Sequence, residues 1–167
     1  MSASHASISE SSPLQRTLAA SIELEGPGLL TGDHCRLRLI PAEPGTGRVF
    51  LRTDLEPVVK IPALVKFARR AERRTILELG EVRIQTVEHL LAALAGLEID
   101  NVRIEMDATE PPGFDGSAKT FVDAILDAGI VEQDEPAEVL HPESLTAESE
   151  EQALVGLAPA KAGGLEV

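Results

Sequence analysis

Gln85-Thr86-Val87-Glu88-His89-Leu90-Leu91-Ala92-Ala93-Leu94-Ala95-Gly96-Leu97 is the stretch on which the reading of the whole chain turns. A strand-like run ends in a polar turn, and a helix begins with Glu88 and His89 side by side in its first turn. Behind them Leu90, Leu91, Leu94 and Leu97 recur at helical spacing with alanines between, a pattern that requires burial. The polar pair therefore stands at the end of a packed, rigid element, where free backbone N–H groups favour negative charge.

Two chemistries fit that placement. In the first, Glu88 is a first-turn acid complementing the helix dipole and His89 is a hydrogen-bonded boundary residue. In the second, His89 is a metal ligand and Glu88 is the general base for a metal-bound water. Neighbouring helix residues differ by roughly 100° in direction, so one can hold the ion while the other reaches the water beside it. Two residues alone leave both readings open.

Working outward on the amino-terminal side, Thr75 to Leu79 and Val82 to Gln85 read as strands joined across Gly80, a hairpin that delivers the chain to the helix. Before it, Lys66 to Arg74 holds five of the fifteen basic residues: Lys66, Arg69, Arg70, Arg73 and Arg74. Such a cluster is either a solvated face or a contact for a phosphate-bearing small molecule. Ile61-Pro62-Ala63 and Arg48 to Arg52 are extended, and Pro41 to Gly47 is a loop. His34 to Ile40 alternates with Arg36 and Arg38 on one face and Cys35, Leu37 and Leu39 on the other, as a half-buried strand does. Thr17 to Glu25 is predicted as a strand, broken by Gly26-Pro27-Gly28 before Leu29-Leu30-Thr31-Gly32 turns the chain.

On the carboxyl side, Gly96 is placed to stop the helix. Val102 to Met106 is a strand, and Glu110 to Ser117 is an irregular loop. Ser117 is placed to cap a second helix, Ala118 to Ala128, with an apolar stripe of Phe121, Val122, Ile125 and Leu126 and a stop at Gly129. Several strands, a helix, a strand and a helix predict an α+β two-layer sandwich, one mainly antiparallel sheet with two helices on one face.

The ends differ in texture from this body. Residues 1–13 are low in complexity and read as a disordered tail, so His5 is expected to be a solvated side chain. Residues 14–131 form the domain. Residues 132–167 carry nine acids against Lys161 alone and read as an acidic, disordered tail with at most a short helix around Leu145 to Leu157; His141 within it is expected to face solvent.

Composition narrows the function classes. With 2% aromatic residues, four Phe and no Trp or Tyr, the core must come from Leu, Ile, Val and Ala. A formal net charge of −13 argues against nucleic acid or an anionic membrane surface as partner. No apolar run is long enough to span a bilayer, no secretory leader is recognisable, and the single Cys35 forms no internal disulfide. A soluble cytoplasmic protein is expected.

The string Thr86-Val87-Glu88-His89-Leu90-Leu91-Ala92-Ala93-Leu94-Ala95-Gly96-Leu97, followed by Ile99-Asp100-Asn101 and Asp115-Gly116-Ser117-Ala118, resembles the amino-terminal domain of the UDP-3-O-acyl-N-acetylglucosamine deacetylase family. Gln15-Arg16-Thr17-Leu18, Gly28-Leu29, Thr31-Gly32 and Arg52-Thr53-Asp54-Leu55 extend the likeness over residues 15–131. The resemblance implies two similar α+β domains facing across a cleft, and an enzyme of lipid A synthesis. That enzyme hydrolyses the acetamide of a UDP-linked acylated glucosamine with one Zn2+ ion. On that analogy Glu88 is the catalytic general base and His89 is a metal ligand.

The sequence departs from the family pattern at two points. A catalytic zinc takes about three protein ligands, and in the family the other two come from a His-x-x-x-Asp pair in the second domain. Four residues after His5, His34, His89 and His141 stand Ser9, Arg38, Ala93 and Leu145, none of them an acid. A second copy of the chain adds no Asp partner. Leu30 also stands where the family usually has His. Two hypotheses follow. The chain is half of a split or truncated deacetylase, completed by a second-domain polypeptide, or it is a non-catalytic binding or interaction domain that retains the fold.

Overall fold

Alternation of apolar and charged side chains builds the main sheet. The computed structural model describes residues 13–69 and 71–138, together with the backbone of 145–148 and 154–157. Its early strands are β1 (Leu14–Leu18), β2 (Ile22–Pro27), β3 (His34–Pro41), β4 (Arg48–Arg52) and β5 (Val59–Pro62). A 3-10 turn (Val65–Phe67) leads to β6 (Ala68–Arg69), β7 (Ile76–Leu79), β8 (Val82–Gln85), α1 (Glu88–Gly96), β9 (Val102–Met106), α2 (Lys119–Ala128) and β10 (Ile130–Pro136).

Five strands lie in the order β2-β3-β9-β4-β5. All neighbours are antiparallel except β4 and β9. The central strand β9 aligns Ile104 with Leu39 on one side and with Phe50 on the other, and Met106 with Leu37. All of these are buried. The two-residue period sends Arg36, Arg38 and Arg103 to the opposite, exposed face. There Arg38 bridges Glu23 at 3.0 Å and Glu105 at 3.2 Å. Such exposed pairs contribute up to about 1 kcal/mol each, so burial holds the sheet in place.

That burial comes from the helices. Leu90, Ala93 and Leu94 of α1 and Phe121 and Ile125 of α2 share one core cluster with Leu37, Leu39, Phe50, Ile61 and Ile104. The α+β sandwich expected from element order is what the chain forms. Its β-structure is divided, however. β6, β7 and β8 make a separate three-stranded sheet, and β1 pairs with β10. The hairpin predicted across Gly80 is present, with Gly80 at φ 61 and Leu77 and Ile84 in the core.

Several local expectations are corrected. The strand predicted over Thr17 to Glu25 is two strands, because the chain bends after Leu18, where Ala19 N–H donates to Gly129 O at 2.8 Å. Gly26-Pro27 does not break β2, because the strand lies at the sheet edge, where a missing N–H costs no ladder bond. Gly96 lies within α1, and the chain leaves the helix through Leu97 and a left-handed Glu98 at φ 55. Residue 118 is the N-cap of α2 rather than its first helical residue.

The chain divides into a body, Leu14–Glu135, and a second unit of residues 1–13 and 136–167. β10 carries regular structure past residue 131 to Pro136. In the second unit the short helix expected around Leu145 to Leu157 is instead an antiparallel pair, β11 (Leu145–Glu148) and β12 (Leu154–Leu157). His5, Arg70 and His141 lie outside the described residues. No helix among the described residues is long and apolar enough to cross a membrane.

Candidate active site

The first turn of α1 presents Glu88 and His89, both half-buried, at an end of the helix with no side-chain cap. The core grip of Leu90, Ala93 and Leu94 fixes the helix, so the pair projects from a rigid base. Thr75 N–H, in the loop before β7, donates to Glu88 Oε2 at 2.9 Å. Among the described residues this is Glu88's one hydrogen bond. The His89 imidazole makes no hydrogen bond or ion pair with the described residues.

Two loops meet at the same helix end. Glu110, in the loop after β9, is 0% exposed. Its carboxylate accepts from Leu30 N–H (3.1 Å at Oε1, 3.2 Å at Oε2), from Thr31 N–H (2.8 Å) and from the Thr31 hydroxyl (2.9 Å). Burial by itself pushes the Glu110 carboxyl up. The Thr31 N–H, the Thr86 and Thr31 hydroxyls and the Leu30 N–H outweigh it and hold the group below the usual glutamate range.

Gly28 makes this clasp possible. A Cβ there would stand 2.5 Å from Glu110 Oε2 and 2.6 Å from Thr31 Oγ1. Gly113 plays the same part on the opposite loop, since its Cβ would meet the Leu29 backbone nitrogen at 2.7 Å. Between these loops and α1 lies Thr86, buried and in the left-handed region at φ 56. Its hydroxyl is near enough to favour the charged form of Glu110, yet meets no partner at hydrogen-bond geometry.

Of the residues singled out from sequence, Glu88 and His89 stand side by side in the first turn of α1, and among the described residues the structure adds no further ligand beside His89. Among the described residues no group of three His, Cys, Asp or Glu is placed to hold a metal ion. The donor set fits one corner of a zinc site and does not complete it. Leu30 is 53% exposed, with its backbone N–H in the Glu110 clasp.

The basic cluster is spread along the chain. Arg69 pairs with Glu78 and Lys66 stands 5.1 Å from the centre of the Phe67 ring, while Arg73 and Arg74 are exposed just before Thr75. Cys35 is no nucleophile. Burial first, and then the Asp107 charge, push its thiol up to about 11. Concavities on the outer sheet face are lined by Glu23, Glu25, Arg36 and Arg38, away from the helix end. Sequence reading missed Thr75, Thr86 and Glu110. The signals available were an acid directly before Pro111-Pro112-Gly113 and a glycine at 28.

The fold is thus an α+β domain with a carboxylate and an imidazole side by side at the start of one helix. Comparison with known proteins names the family. The model for UDP-3-O-acyl N-acetylglycosamine deacetylase (LpxC) matches residues 15–167, and the chain belongs to that family. It is 49% identical over 126 residues to the UDP-3-O-acyl-N-acetylglucosamine deacetylase of Coxiella burnetii, a match covering 75% of this chain and 42% of that one. Against the same-named protein of Actinobacillus succinogenes it is 54% identical over 123 residues, 73% of this chain and 40% of that one. The Bifunctional enzyme LpxC/FabZ of Chlorobaculum tepidum is 48% identical over 126 residues, 75% of this chain and 27% of that one. The chain therefore spans less than half the length of these curated relatives, and the family match runs past residue 131, where the resemblance read from motifs stopped.

Proposed function

We propose that this chain supplies the general base and one metal ligand of a zinc-dependent deacetylase. It would act in the cytoplasm on a UDP-linked acylated glucosamine, in lipid A synthesis. The observation that carries the reading is the helix-end pair. Glu88 is oriented through one oxygen by Thr75 N–H, and beside it His89 presents an imidazole without a partner among the described residues. A zinc ion, when bound, polarises the amide carbonyl and makes water a better nucleophile. His89 is the residue of this chain that would hold it.

The remaining chemistry belongs to Glu88. Its other oxygen would take a proton from the attacking water as the new C–O bond forms. It then returns that proton to the amide nitrogen as the C–N bond breaks, releasing acetate and a free amine. The two missing ligands are assigned to a second domain outside these 167 residues. The helix layer supports such a partner, because α1 exposes Ala92, Ala95 and Gly96 and α2 exposes Leu126. Exposed Arg73 and Arg74, adjoining the loop that orients Glu88, suit a phosphate-bearing substrate.

A chimera tests this reading. Residues 14–135 of this chain replace the matching part of the Coxiella burnetii relative, and zinc content and acetate release are measured. One zinc per chain and deacetylation, with zinc lost in His89→Ala, is the expected result. A folded chimera whose zinc content ignores His89→Ala would establish instead the non-catalytic domain.

A further inference from the structure

Glu110 is a buried acid for which the hydrolysis outlined above has no use. A carboxylate removed from water is costly unless its charge is satisfied. Glu110 is satisfied by N–H and O–H donors of one short loop, and no cation pairs with it among the described residues. Space for it has been made, since Gly28 is the residue whose Cβ would collide with the carboxylate oxygen. An apolar side chain would close the two loops with less desolvation, so the charge is there for what it holds.

What it holds leads to the helix. Thr109 O, one residue earlier, accepts from Gln85 N–H at 2.9 Å, which ties the Glu110 loop to the end of β8. Next in the chain comes Thr86, a β-branched residue at φ 56, where such side chains are strained. Strain of this kind persists only where the surroundings over-determine it. Here those surroundings are the tie at Gln85, the Glu110 carboxylate facing the Thr86 hydroxyl, and burial. Val87, the N-cap of α1, contributes no side-chain bond of its own. The direction in which the chain enters α1 is thus set from outside the helix.

We propose that Glu110 is a positioning residue for the Glu88–His89 pair: by clasping Leu30 and Thr31 and backing the left-handed Thr86, it fixes the entry to α1 and so the aim of both side chains. Its significance for catalysis rests on the deacetylase reading; the positioning does not. The clasp also explains how a loop with the exposed Leu29 and Leu30 keeps a defined place beside the helix end.

The experiment uses the full chain, 15N-labelled, with Glu110→Gln, which keeps the shape and removes the charge. Two reporters that Glu110 does not touch are read: the Thr75 amide, bonded to Glu88, and the His89 ring. Expected are shifted signals at both and about tenfold to a hundredfold faster amide exchange at Thr75, the equivalent of a lost charged hydrogen bond. Core amides such as Leu39 and Ile104 should hold their protection. If only Leu30 and Thr31 respond while Thr75 and His89 keep their wild-type signals, Glu110 pins its own loop and the proposal is overturned.

Should Glu110→Gln fail to fold, Thr31→Ala removes a single hydroxyl donor and carries the same two outcomes at smaller amplitude. Failure of the chimera together with a positive result at Thr75 and His89 would sink the deacetylase reading alone. An active chimera with unmoved reporters would sink only the positioning role.

Discussion

The two helices begin in opposite ways. α2 starts from residues within its own turn: the Ser117 hydroxyl accepts from Lys119 N–H at 3.1 Å and donates to Asp115 Oδ1 at 2.8 Å, and Lys119 pairs with Asp123 one turn on. α1 has no such local cap. Its first turn is held by Thr75, thirteen residues before Glu88, and lies beside a clasp between Thr31 and Glu110, 79 residues apart. A helix start that satisfies itself locally needs nothing from the rest of the fold. A start held by distant loops is determined by the whole fold, and it is there that Glu88 and His89 stand.

The largest expected effect tests the role proposed for the first turn of α1. In the zinc-loaded chimera Glu88→Gln should cut turnover by about 10²- to 10⁴-fold with zinc retained, the usual cost of losing a general base. Single-turnover acetate release with metal analysis checks it, and unchanged turnover would reduce α1 to a packing element. Next comes the shared core. Leu94→Ala, at a site 0% exposed, should cost about 2–5 kcal/mol in urea unfolding. A smaller loss would mean that α1 is held mainly by its end contacts.

Gly28→Ala should cost about 1–3 kcal/mol by overpacking the Glu110 clasp. The distant-support view of α1 fails if that variant is as stable as wild type. Ser117→Ala should cost about 1 kcal/mol, with faster amide exchange confined to the first turn of α2. Spread of that effect into α1 would show that the two starts are coupled.

The smallest expected effect is with acid. Glu110 has a folded pKa below its unfolded value, so its contribution to stability is complete above the ordinary glutamate pKa of about 4.3 and is lost as pH falls through the lower folded value. Amide exchange at Leu30 and Thr31 should therefore rise at a lower pH than an ordinary glutamate would dictate. Asp115 is likewise held below its usual range by the Ser117 hydroxyl and N–H, but it is exposed, and little stability should change at the start of α2.

Much was legible before any coordinates. Strand periodicity placed Cys35, Leu37 and Leu39 inward and Arg36 and Arg38 outward, the hairpin across Gly80 was recognisable, and Gly129 marked the end of α2, because each signal lies within a few residues. The motif around Glu88 and His89 pointed to the family that the comparisons confirm. What was read wrongly depended on neighbours. Pro27 is tolerated because β2 is an edge strand, and the division of the strands into separate sheets depends on pairings such as β4 with β9 that no local pattern encodes.

By itself, then, the amino-acid order determined the two-layer α+β class, the inward and outward faces of its strands, and the adjacency of Glu88 and His89 at a helix start. Only the tertiary structure decided that Thr75 orients Glu88, that Thr86 takes a left-handed turn and that Glu110 closes two loops beside it. The physical reason is range: side-chain periodicity is written by the backbone over a few residues, whereas hydrogen bonds to a buried carboxylate form wherever folding brings a donor, however far away it lies in the chain.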